Sequence, residues 1–191
     1  MLNIKKGAMF GLDARICLFI FALVSVLTYS VFYNLYFGLS AEKVLAETPA
    51  IKYGLEQYQA DMNASIFTTL NTTYTATEQE DYSFESLVKP DYLKAPYDTK
   101  WNGPYIRIKN ENMMDVHLNA KYKLVKLSEA LTTTCNDVKT NKCYIYLKFK
   151  DLNLDLCRSF ETVGSTKYSK VELKRSATTC DAFIKLIEDY N

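Results

Sequence analysis

The hydrophobic pattern changes period along the chain. From Ile16 to Ala41 no residue is charged, and these 26 residues make about 39 Å of helix at about 1.5 Å per residue. A bilayer needs about 20 residues, so the run predicts a membrane-spanning helix. It is too long for a cleaved secretory peptide, whose apolar region is about 7–15 residues. Ser25, Thr28, Ser30 and Asn34 interrupt it, and Tyr29, Phe32, Tyr33, Tyr36 and Phe37 enrich its second half. Such aromatics suit either a membrane-interface belt or a stripe against neighbouring helices. After Gly38 the pattern becomes amphipathic: Leu39, Val44, Leu45, Ile51, Leu55 and Tyr58 recur at steps near 3 and 4, with Glu42, Lys43, Glu47, Lys52 and Glu56 on the other side. Pro49 predicts a kink, and the helix is expected to end near Asp61–Asn63.

Residues 64–100 read as a connector, with polar clusters such as NTTYTATEQED and a short helix opening at Ser83 or Ser86. Turn chemistry follows at Pro96, Asp98, Asn102-Gly103 and Pro104. Alternation then predicts strands at Tyr105–Lys109, Val116–Val125, Tyr144–Lys150 and Lys170–Lys174. A helix is expected around Asn153–Val163. A last one is expected in TTCDAFIKLIEDYN, capped by Thr178 or Thr179. Helix first and strands afterwards give an α+β class: a long N-terminal helix on an antiparallel sheet of about four strands.

Composition adds compartment and excludes some chemistry. The formal net charge is +1, which leaves no nucleic-acid footprint. Cys17 lies in the apolar run. Cys135, Cys143, Cys157 and Cys180 fall late in the chain, an even set downstream of a membrane segment that reads as two disulfides in an oxidising compartment. A zinc site is the rival, but CxxC pairs are absent and there is one His. Three pairings are possible, and nearness in sequence favours Cys135–Cys143 with Cys157–Cys180.

Catalytic signals are weak. His117 stands in an alternating stretch without a nucleophile beside it, and reads as structural. No HExxH, GxSxG or glycine-rich phosphate loop occurs, and six glycines leave little for one. Glu78, Glu80, Asp81, Glu85 and Asp91 offer oxygen ligands for calcium, but without EF-hand spacing they read as a solvated acidic loop. Asn63-Ala-Ser and Asn71-Thr-Thr fit the N-glycosylation pattern. No cofactor, metal or catalytic residue is expected.

Asp13 and Arg15 stand at the mouth of the apolar run, where an unpaired carboxylate is costly. The plain reading is a flanking pair outside the bilayer, with Lys5 and Lys6 orienting the helix. That reading leaves the small residues Gly7 and Ala8 before Met9 unexplained.

With its short lysine-bearing leader, Gly7-Ala8, Asp13 and about 20 apolar residues, the N-terminus resembles the type IV pilin and type II secretion pseudopilin family. A second patch, YLKAPYDTKWNGPYI (residues 92–106), is similar to the loop before the sheet in pseudopilins and some pilins, through Asp98, Trp101, Gly103, Pro104 and Tyr105. The chain departs from the family in carrying Asp13 where Glu is usual, and in lacking a proline about six turns into the mature helix.

The resemblance implies a leader of residues 1–8 removed by a membrane peptidase between Ala8 and Met9, methylation of the new Met9 amine, and Asp13 as the fifth mature residue. It implies a filament-core helix over 9–40, an amphipathic continuation over 41–63 and an extracytoplasmic domain over 64–191. The implied function is that of a structural, non-enzymatic filament subunit. Its partners are copies of itself or related pilins, the inner membrane, the prepilin peptidase and the assembly machinery. The implied location is the inner membrane before assembly, then a periplasmic or cell-surface filament, with Asp13 offered to a neighbour's amine. A secretion pseudopilin and a single-pass anchored binding protein are the alternatives.

Overall fold

The computed structural model describes residues 7–107, 114–115, 118, 120–131, 135, 142–167 and 171–189. His117 lies outside them, as do residues 1–6. The chain divides into two compact units, 1–37 and 38–191.

Helix α1 runs Gly7–Met62 and contains Pro49. Within the first unit, every described side chain from Asp13 to Tyr36 is exposed. In the second unit α1 is amphipathic as its spacing predicts, with Ala41, Val44, Leu45, Ile51, Leu55, Tyr58 and Met62 buried, but Leu39, expected on that stripe, is exposed. Pro49 sits on the exposed side, and the helix continues through it. The end at Met62 falls where Asn63 takes a left-handed conformation with φ of 51°, a common helix stop.

The connector is more ordered than its polar sequence suggests. Helices α2 (Ile66–Thr69), α3 (Ala76–Glu85) and α4 (Tyr97–Lys100) lie in it. Helix α3 begins before the expected Ser83, because Thr75 and Glu78 form a reciprocal capping box. The Thr75 hydroxyl accepts from the Glu78 N–H at 3.4 Å, and the Glu78 carboxylate accepts from the Thr75 N–H at 2.8 Å. Two otherwise orphaned donors are thereby satisfied.

Two short strands, β1 (Met114–Asp115) and β2 (Ala120–Lys121), pair antiparallel. The main sheet holds β3 (Lys123–Ser128), β4 (Cys143–Asn153), β5 (Val171–Arg175) and β6 (Thr179–Glu188), in the antiparallel order β3-β4-β6-β5. Helix α5 (Leu154–Lys167) joins β4 to β5. Tyr105–Arg107 belong to no strand, contrary to the expected alternation there, and Ile108 and Lys109 lie outside the described residues.

The largest correction is at the end of the chain. The expected helix over Cys180–Asp189 is the strand β6, second from one edge and paired on both sides. A nearly continuous apolar run fits a strand buried on both faces as well as it fits a helix. Ala182 and Ile184 face the main core with Leu147 and Phe149, while Phe183 joins Val125, Leu131 and Tyr146 in a second cluster on the other face. A register shift between Ile145 and Tyr146 accommodates one extra β6 residue. The main core continues through stacked Phe84 and Tyr122 to Phe149 and Phe160.

Disulfides join Cys135 to Cys143 and Cys157 to Cys180. The second ties α5 to β6. Gly164 lets α5 approach β5, since a Cβ there would lie 2.6 Å from a Val171 methyl.

Candidate assembly surface

The first unit is an exposed apolar helix, and two of its polar interruptions are satisfied internally. The Ser25 hydroxyl donates to the Phe21 carbonyl at 2.8 Å, and Thr28 donates to the Val24 carbonyl at 2.7 Å. These bonds remove two polar groups that an apolar surrounding would penalise. Tyr29, Tyr33 and Phe37 form an aromatic row at i, i+4 and i+8, with ring centroids 5.9 and 4.6 Å apart. By length and composition the helix is able to cross a membrane. Asp13, Arg15 and the free Cys17 are exposed on it. Gly7, Ala8 and Met9 form its first backbone turn.

In the second unit the end of α1 is clamped by the 92–106 patch. The Trp101 indole donates to the Ser86 carbonyl at 2.9 Å, and the Tyr105 N–H donates to the Leu87 carbonyl at 2.8 Å. The Tyr105 hydroxyl donates to the Asp61 carboxylate at 2.9 Å, while its ring meets Tyr58 edge-on at 5.3 Å. Two glycines permit these approaches. A Cβ on Gly54 would lie 2.5 Å from Ile106 and 2.7 Å from the Tyr105 carbonyl, and one on Gly103 would lie 2.6 Å from the Trp101 ring. Burial pushes the Tyr105 hydroxyl up to about 12; the Asn102 N–H opposes the shift and Asp61 adds to it. The Tyr58 hydroxyl is raised further, chiefly by burial, despite its 2.6 Å bond to Thr69.

A buried polar junction holds α1 to the sheet. Gln59 donates to Asp189 at 3.3 Å, Lys126 lies 2.9 Å from the other Asp189 oxygen, and the Asp189 N–H donates to the Cys143 carbonyl at 2.8 Å. Sequence reasoning missed this junction. Its only local sign is Gln59, a polar residue on the apolar stripe one turn after Leu55.

The acidic residues are held by other groups. Glu78 caps α3, and its carboxyl is lowered by the Thr75 hydroxyl and N–H. Glu80 pairs with Lys148 at 2.9 Å, Asp81 with Lys123 at 2.7 Å, and Lys89 lies near both Glu85 and Asp91. Among the described residues no group of metal-ligating side chains converges. Ser83 on α3 donates to the Leu124 carbonyl at 3.3 Å, so α3 covers part of the edge strand β3. Asn63 is exposed at the helix end, and the Asn71 carboxamide accepts from the Thr73 N–H at 3.3 Å. An open groove of about 670 Å³ lies between α1 residues Leu45–Glu56 and β6 residues Ile184–Glu188.

Compared with known protein families, characterised proteins and solved structures, the chain matches none.

Proposed function

We propose that the chain is the structural subunit of a type IV pilus-like filament, made with a leader of residues 1–8 and assembled through its N-terminal helix. The observation that carries the reading is the apolar helix itself. From Ile16 to Tyr36 its large side chains stand exposed, and each one withdrawn from water is worth about 1.5–3 kcal/mol. A membrane first, and the helices of other copies afterwards, would supply that apolar surrounding. The leader pattern and the acid at position 13 add the processing step: cleavage after Ala8 frees the Met9 amine, which is then methylated. The folded second unit would face outward, and its role in this reading is structural rather than catalytic.

The test is mass spectrometry of the mature N-terminus from cells of the source. A chain beginning at N-methylated Met9 is the expected result. A mature chain that keeps Met1 overturns the filament reading and leaves a single-pass anchored protein.

A further inference from the structure

Asp13 and Arg15 are two residues apart on α1, and both are exposed. A helix turns about 100° per residue, so their side chains leave it about 200° apart and about 3 Å apart along the axis. They cannot meet on one helix, and among the described residues neither forms an ion pair. The helix thus carries an acid on one flank and a base on the opposite flank, followed by an uncharged run to Ala41.

That distribution suits one kind of contact between copies. A two-fold parallel contact would set Asp13 against Asp13 or Arg15 against Arg15. A head-to-tail contact gives each copy's acid to one neighbour and its base to the next, so that every charge in the row is met except at the ends. Depth favours the guanidinium as the acid's partner. Arg15 adjoins the apolar run, whereas Met9 lies six residues earlier, about 9 Å further from it. The Met9 amine can therefore stay hydrated where Arg15 is being withdrawn from water. Guanidinium and carboxylate also match as a bidentate pair.

We infer that Arg15 of one copy pairs with Asp13 of the next, and that this repeated pair sets the lateral order of the N-terminal helices. The inference rests on the filament reading and adds a second partner for Asp13 beside the freed amine.

Three full-length variants test it: Asp13→Arg, Arg15→Asp and the swap carrying both. Cleavage is followed by mass spectrometry and filament yield is measured by shearing. Each single reversal is expected to be cleaved and to lose at least tenfold in filament yield, while the swap restores the Arg–Asp pair and recovers part of that loss, the contact of residue 13 with the freed amine remaining broken. A swap no better than Asp13→Arg, or full yield from Arg15→Asp, overturns the inference while wild-type filaments keep the parent reading. A second measurement covers failure of the swap to insert. In a Cys17→Ser background, copies carrying Asp13→Cys are expressed with copies carrying Arg15→Cys and treated with a short bismaleimide. Dimers specific to the mixture are expected, and dimers of Asp13→Cys copies with each other alone overturn it. A wild-type chain that keeps Met1 and makes no filament removes both proposals.

Discussion

The two units solve opposite packing problems with the same element. In the first unit α1 exposes Leu18, Phe19, Ile20, Phe21 and Leu23, each at least 49% accessible. In the second unit the same helix buries Val44, Leu45, Leu55 and Tyr58 completely. The difference lies in the sequence. Before Gly38 apolar residues surround the helix; after it charges occupy one side. The second half obtains its apolar surrounding from its own chain, whereas the described side chains of the first half from Asp13 to Tyr36 are exposed. In the filament reading proposed above, stability and assembly would therefore be separable.

The largest expected effect breaks that comparison directly. A chain truncated to begin at Gly38 should stay soluble and monomeric without detergent and keep both disulfides, whereas the full chain should require detergent; sedimentation in both conditions measures this. Failure of the truncated chain to fold would mean that the second unit depends on the first.

The next sharpens what holds the second half of α1. Asp189→Ala leaves Lys126 and Gln59 facing a vacated site, and unfolding in urea should show a loss of about 3 kcal/mol. An unchanged midpoint would remove the junction from the stability account.

The smallest effect concerns tyrosines. Burial pushes Tyr146 up to about 12, with Glu172 and Glu129 adding to the shift, and its buried hydroxyl has no hydrogen-bond partner among the described residues. Tyr105 is raised similarly. Their folded-state values exceed the unfolded value of about 10. The stability they carry is therefore complete below pH about 10 and is lost as pH rises towards about 12. Tyr146→Phe should flatten that alkaline loss and stabilise the protein at neutral pH by up to about 1 kcal/mol. Urea midpoints at pH 8 and 11 read both.

The elements legible in sequence share a physical cause: their pattern has one period. The charge-free run and the steps of 3 and 4 predict α1, and Ile145, Leu147 and Phe149 on one face with Lys148 and Lys150 on the other predict β4. Strand β6 was misread because Cys180–Ile187 is buried from two sides, which erases alternation. Helix α3 starts at Ala76 rather than at the expected Ser83 or Ser86, although Thr75-x-x-Glu78 spells its cap, since the polar residues around that cap resemble a loop. The junction of Gln59, Lys126 and Asp189 joins residues as far as 130 apart in sequence, and no local pattern announces such a meeting. In the candidate assembly surface, the exposed run and its charged mouth are readable, while Lys5 and Lys6 lie outside the described residues.

Strand β6 is fastened at both ends: Cys180 is bonded covalently to α5, and Asp189 is bound to α1 and β3. It is also paired on both sides. To lend this strand to another copy, the protein would have to break a disulfide, a buried ion pair and two ladders together. Copies that share helices in a filament would therefore keep their strands to themselves. Each sheet domain would enter the assembly, and leave it, as a finished part.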